Sequence, residues 1–342
     1  MNIFRTAPKS ENSAERNIDH YWRRYYSNEL ADWMQGRVRS VRIPSTGIEL
    51  NLDIYRQPRG DAPVIVFNHG GGGYSRMFGV LIRELYERGF TVVLPDQRGQ
   101  GYSEGDRGDF TIPQLIENIC DAFAYVRKNF AGQIVLAGAS FGGGATYMAA
   151  ARMVRRHGLP GSTSAVPDAV VCHNLFDFGR IEEALALSRM GFLLRLPGLA
   201  AGISRSLRWL ARLAPRVRIP FRLVANFRHM VDSRDTDFYN LWKRDPIPLR
   251  FVTLRYLASV GSSPPAIPFE EYEKPVLVIN PVRDLMTPCR ITRRNFERLG
   301  GPKEYAELEY GHWSVSPEFA HAWVDLLVDF VSRRIRKAAP DG

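Results

Sequence analysis

The chain has 342 residues, 45% of them hydrophobic, and a formal net charge of +10, which is enough for one large domain with an insertion, or for two domains. It has no run of apolar residues long enough for a membrane span, and its opening stretch MNIFRTAPKSENSAERN lacks the apolar core of a secretory signal, so neither is expected. Cys120, Cys172 and Cys289 are far apart and offer neither a disulfide framework nor metal-ligand spacing, which suits reduced thiols and a cytoplasmic setting.

Residues 1–20 are polar, and 1–36 read as an N-terminal extension. Within it, the aromatic-rich run Tyr21 to Met34 predicts one helix packed on the core. Val38 to Ile43 and Glu49 to Tyr55 alternate apolar and polar residues around Pro44-Ser-Thr-Gly47, a hairpin pattern. Pro63 to Phe67 is a continuous apolar strand that runs into Asn68-His69 and four glycines, Gly70 to Gly73. A helix over Arg76 to Arg88, a strand over Phe90 to Pro95 and a long amphipathic helix over Ile112 to Asn129 follow. The next stretch, QIVLAGASFGGGATYM at 133–148, reads as a buried strand, a Gly138-Ala-Ser140-Phe-Gly142 turn and a helix. Ala169 to Cys172 is one more short strand. Strand patterns return at Pro275 to Asn280 and Tyr305 to Leu308, and the last helix is expected over Pro317 to Arg336.

Strands alternating with helices imply an α/β protein. Its sheet should be mainly parallel, covered on both faces, with an antiparallel edge from the first hairpin. The pattern changes between 177 and 263. Nine arginines and no acidic residue lie between Arg189 and Arg228, alternating with Leu, Ile, Trp and Phe. This segment follows a strand, so it should emerge at the carboxyl edge of the sheet, where open α/β sheets bind ligands. It is expected to be a helical lid between two halves of one core, 37–176 and 264–342. Its amphipathic pattern suggests contact with acidic lipid or phosphate groups, or packing of its leucines on the core. It does not resemble a nucleic-acid module.

The chemistry converges on Ser140. A strand-to-helix turn this tight forces a strained backbone at the serine, and only glycine fits at 138 and 142. The hydroxyl then stands in the open at a helix N-terminus, where developing negative charge is favoured. It needs a base to take its proton, and the base needs an orienting acid. His312, in Gly311-His312-Trp, follows the last strand, and Asp284 follows the strand ending at Asn280. Both should stand at the same edge as Ser140. Asp177 is the rival acid, and His173 lies near enough to share the site without a reason to act as base. Oxyanion stabilisation is expected from the N–H of Phe141 and of Gly71, with Gly70 as second choice. His69 is expected to hold its loop by hydrogen bonds, and Asp96 and Arg98 to brace the turn Asp96 to Ser103.

These pieces together resemble the α/β-hydrolases of the monoacylglycerol lipase, lysophospholipase and serine aminopeptidase-like group. The match lies in His69-Gly70-Gly71, Asp96-Gln-Arg98-Gly-Gln-Gly-Tyr-Ser103, Gly138 to Gly142, Arg283-Asp284 with Pro288, and Gly311-His312. It spans about 60–145 and 275–337; the four-glycine loop, the arginine-rich lid and the N-terminal extension depart from the pattern. The resemblance implies a Ser-His-Asp hydrolase with a helical lid and no cofactor. Cleavage of an acyl ester is the leading expectation. A thioesterase is the first alternative, because arginines can hold phosphates. An aminopeptidase-like amidase is the second, with Glu182, Glu183, Asp232, Asp235 and Asp237 offered to a substrate amine. From another class, a hydrolase-fold binding protein with little turnover would keep the same residues.

Overall fold

The computed structural model describes residues 21–158, 165–188, 191 and 198–335. The polar stretch 1–20, with His20, lies outside them. Expected as one helix, the aromatic segment is two. Residues 21–23 are helical, and α1 (Asn28–Arg37) starts afresh because the Ser27 hydroxyl accepts the Leu30 N–H at 3.3 Å as its N-cap. The aromatic side chains do pack on the core. Trp22 is buried, and Trp33 stacks on Tyr55.

Strands β1 (Val38–Ser45) and β2 (Ile48–Tyr55) form the expected hairpin, closed by Thr46 and Gly47 at positive φ. β3 (Val64–Asn68) follows, then a 3-10 turn (Ser75–Phe78), α2 (Gly79–Glu87) and β4 (Thr91–Pro95). Helix α3 (Ile112–Asn129) opens with a reciprocal capping box between Thr111 and Gln114. β5 (Ile134–Ala139), α4 (Phe141–His157) and β6 (Ala169–His173) complete the first part of the sheet. After a long excursion come β9 (Val276–Pro281), α10 (Cys289–Arg298), β10 (Lys303–Leu308) and α11 (Pro317–Arg334).

The eight strands are ordered β1-β2-β4-β3-β5-β6-β9-β10. β1, β2 and β4 pair antiparallel, and the remaining pairs are parallel. In β3, β5, β6 and β9 every residue is buried, which is why these strands read as unbroken apolar runs without alternation.

The excursion holds α5 (Ile181–Leu187), α6 (Leu199–Leu213), β7 (Arg218–Pro220), α7 (Phe221–Val224), α8 (Thr236–Arg244), β8 (Phe251–Thr253) and α9 (Leu254–Ser259). The short antiparallel pair β7–β8 was not expected there. Three-residue strands fall below the length at which alternation is visible in sequence.

Candidate active site

Five loops meet at the carboxyl edge of the parallel strands: those after β3, β5, β6, β9 and β10. The loop after β5 is the sharpest. Ser140 has φ +55° and ψ −126°, outside the range an L residue adopts without strain. It stays there because its surroundings leave no alternative. Its N–H donates to the His173 carbonyl at 2.7 Å, and its own carbonyl accepts the Gly143 N–H at 2.8 Å. A Cβ at 138 would stand 2.5 Å from the Thr146 hydroxyl, and one at 142 would run into the carbonyl oxygens of Asn68 and His69. Both glycines are therefore required, as the sequence indicated.

Asp284 lies three residues past β9 and is buried. Its Oδ1 accepts the N–H groups of Met286 (2.8 Å) and Thr287 (2.7 Å). Its Oδ2 lies 2.8 Å from His312 Nδ1 and accepts Asn174 Nδ2 at 3.3 Å. Burial alone would raise the carboxyl's pKa. The His312 ring and the two backbone donors outweigh burial and hold it below the ordinary carboxylate value. With Asp284 ionised, the proton of the pair sits on Nδ1, which leaves His312 Nε2 free to accept another.

Ser140 and His312 line one small cavity of about 60 Å³, together with Gly70 to Gly73, Met230, Val231 and Trp313. No hydrogen bond joins the serine hydroxyl to the ring among the described residues, and such contacts are commonly loose before substrate binds. On its other side, Ser140 opens on a second cavity of about 460 Å³. Phe141, Phe178, Ile203, Leu207, Phe221 and Leu254 contribute to its largely apolar wall.

Gly71 lines both cavities. As the first helical residue of α4, Phe141 has an N–H with no intrahelical acceptor. The Gly71 N–H has no partner among the described residues. Gly70 crowds Ser140 more closely: a Cβ there would stand 3.2 Å from the serine Cβ. This loop is braced from behind. His69 Nδ1 lies 2.9 Å from the Gly70 carbonyl, and its Nε2 accepts the Gln97 N–H at 3.0 Å. Burial lowers the pKa of His69 to about 4, so it stays neutral and acts as a strut. Asp96 braces its own turn by accepting the Tyr102 N–H and ties it to Ser75, whose N–H it also accepts; Arg98, expected to brace the same turn, instead donates to Thr46 in the β1–β2 hairpin.

Asp177, the rival acid, pairs with Arg298 at 2.8 Å and caps its own turn through Gly179, with no bond to a histidine among the described residues. His173 is fully buried, and its Nε2 lies 2.8 Å from the His312 carbonyl. Burial lowers its pKa to about 4 as well. It holds the backbone of Ser140 through its carbonyl and that of His312 through its ring. Three of the five carboxylates proposed for an amine are engaged elsewhere. Glu183 bonds Arg294 and Asn295, Asp232 bonds Arg234 and the Gly311 N–H, and Asp235 accepts the Val315 N–H.

Asn174 and Trp242 are the residues that sequence reasoning missed. Asn174 sits at φ +65°, and the only hint was its place directly after a buried strand. Trp242, on α8, donates its indole N–H to the Gly72 carbonyl at 2.8 Å across 170 positions of sequence. No local pattern announces such a contact.

Residues 60–166 match the family model described as serine aminopeptidase, S33. No curated protein matches the chain. Among solved structures, the α/β hydrolase GrgF from Penicillium sp. sh18 aligns with TM-score 0.64 at 18% identity, covering 87% of this chain and 99% of that one. The monoacylglycerol lipase of Paleococcus ferrophilus aligns with TM-score 0.59 at 21% identity, over 86% and 99% of the two chains. A soluble variant of monoglyceride lipase from Saccharomyces cerevisiae, in complex with a substrate analog, gives 0.63 at 14%, over 87% and 95%. The chain therefore has the α/β-hydrolase fold, and over residues 60–166 it is similar to the serine aminopeptidase S33 family.

Proposed function

We propose that the protein is a serine hydrolase of carboxylic esters that works through an acyl-enzyme. The observation that carries this reading is the position of Ser140. It occupies a strained turn, bordered on one side by the cavity that holds the Asp284-oriented His312 and on the other by a large apolar cavity. In the first half-reaction, Ser140 Oγ attacks the ester carbonyl while its proton passes to His312 Nε2. The Phe141 and Gly71 N–H groups hold the oxyanion. As the intermediate collapses, the bond to the leaving oxygen breaks, and that oxygen takes the proton from His312. Water then attacks the acyl carbon, again giving its proton to His312, and releases the acid and the free serine. Residues 177–263 form the lid in this reading.

The two cavities divide the substrate. The leaving oxygen must lie within reach of His312, which lines only the small cavity. The acyl chain then falls into the apolar one, whose volume of about 460 Å³ is that of a small-molecule site. Each methylene buried there contributes about 0.8 kcal/mol, roughly fourfold in kcat/KM until the cavity is full. Hydrolysis of p-nitrophenyl esters from acetate to palmitate should therefore rise well beyond acetate and then fall, and Ser140→Ala should lose at least ~10⁴-fold throughout. Equal rates for the two proteins would overturn the reading. Acylation without release would favour a binding protein instead.

A further inference from the structure

We infer that the arginine-rich part of the 177–263 segment is a docking surface for an acidic phospholipid bilayer. Seven large hydrophobic side chains are exposed among the described residues, and six of them lie in this segment: Trp209, Leu210, Leu213, Val217, Leu223 and Phe251. Trp209 is 57% exposed and Leu213 66%. They lie on elements that are joined to one another. β7 pairs with β8, setting Pro220 opposite Phe251, and the loop between α6 and β7 is tied down by Leu254 N–H to the Val217 carbonyl and Arg255 N–H to the Pro215 carbonyl.

The charge on this surface has one sign. Arg205, Arg208, Arg212, Arg216, Arg218 and Arg222 are all exposed, and among the described residues only Arg216 meets a carboxylate, Asp109 at 3.8 Å. No Asp or Glu occurs anywhere between Arg189 and Arg228. A second copy of the chain would set arginines against arginines. A nucleic acid would neutralise the arginines but leave Trp209 and Leu213 in water. A bilayer with anionic headgroups satisfies both sets of groups. Guanidinium groups bond the phosphates, and Trp and Leu side chains enter the acyl boundary. The patch also reaches the apolar cavity. Leu223 is 53% exposed and lines that cavity, while α6 turns Ile203 and Leu207 into it and Trp209 and Leu213 outward. A lipid-borne substrate would thus meet the protein where the wall of the cavity is exposed.

The inference does not depend on the reaction, and the test uses the full chain carrying Ser140→Ala. Sedimentation with vesicles of phosphatidylcholine containing phosphatidylglycerol should carry the protein down, and added salt should release it. Vesicles of phosphatidylcholine alone should not bind it. Each arginine near an acidic surface adds about fivefold to partitioning, so the double variant Arg212→Gln/Arg218→Gln should bind about 30-fold more weakly. Trp209→Ser/Leu213→Ser should also lose at least tenfold. In the Ser140-containing background, both double variants should keep their melting temperature and their activity on a soluble ester without vesicles. Equal binding to neutral vesicles, or none to acidic ones, would overturn the proposal. So would full vesicle binding by the Trp209/Leu213 variant, which would make the surface a general polyanion site. A dimer in solution that Leu213→Ser dissolves would also overturn it, assigning the patch to a second copy.

Discussion

Asp284 Oδ2 takes two donors at once, the His312 ring and the Asn174 amide, and the two should separate cleanly in mutants. Asp284→Asn presents an amide to Nδ1 and favours the wrong tautomer of His312. We expect kcat to fall about 10³- to 10⁴-fold with the fold intact. Asn174→Gly removes only the second donor and keeps a residue suited to φ +65°. Steady-state kinetics should then show kcat about tenfold lower, roughly the worth of one charge-assisted hydrogen bond, with KM little changed. The serine, the aspartate and the histidine were legible in the sequence because each follows a strand pattern and carries its own turn signal. Asn174 was not. Its partner is 110 positions away, and nothing beside it in sequence calls for an amide.

The loop after β3 depends on elements far from it in sequence. Trp242 on α8 bonds the Gly72 carbonyl, and Tyr25 and Tyr74 both donate to Asp245, each at 2.8 Å. The N-terminal aromatic segment, the glycine loop and the 177–263 segment are therefore joined at one place. Trp242→Phe keeps the packing against Phe227 but removes the N–H. Losing a bond of about 1 kcal/mol at a loop that carries a proposed oxyanion donor should lower kcat about five- to tenfold. The melting temperature should shift by only a few degrees. A larger fall in stability than in kcat would make Trp242 a purely structural tie. The core helices were legible because their periodicity extends over many residues, and the central strands because they are unbroken apolar runs. The break at Ser27 and the pair β7–β8 were not, because a single cap and two three-residue strands leave no periodic trace.

Across the whole molecule, buried titratable groups set the acid limit of stability. His69 and His173 are held neutral, their pKa lowered by burial from the ordinary 6.5 to about 4. The unfolded chain takes up protons on both below about pH 6.5, while the folded chain does not until about pH 4. Their stabilisation is therefore complete above pH 6.5 and lost as pH falls from there towards 4, by about 2 kcal/mol each at pH 5. Asp96 opposes them. Burial, then the nearby Asp53, raises it to about 6, so the folded state gains a proton first and recovers on the order of 1 kcal/mol at pH 5. Urea melts at pH 8 and pH 5 should thus differ by about 2–3 kcal/mol, with the protein weaker in acid. Substituting Asn for His173 should remove a large part of that slope.

A Ser140 that becomes acylated in turnover should also be the residue that an electrophilic probe labels. The protein is treated with a fluorophosphonate and its mass is measured intact and after digestion. A single adduct is expected, on the peptide carrying Ser140, formed in step with loss of ester hydrolysis and absent from Ser140→Ala. An adduct on another residue, or hydrolysis that persists in Ser140→Ala, would contradict it.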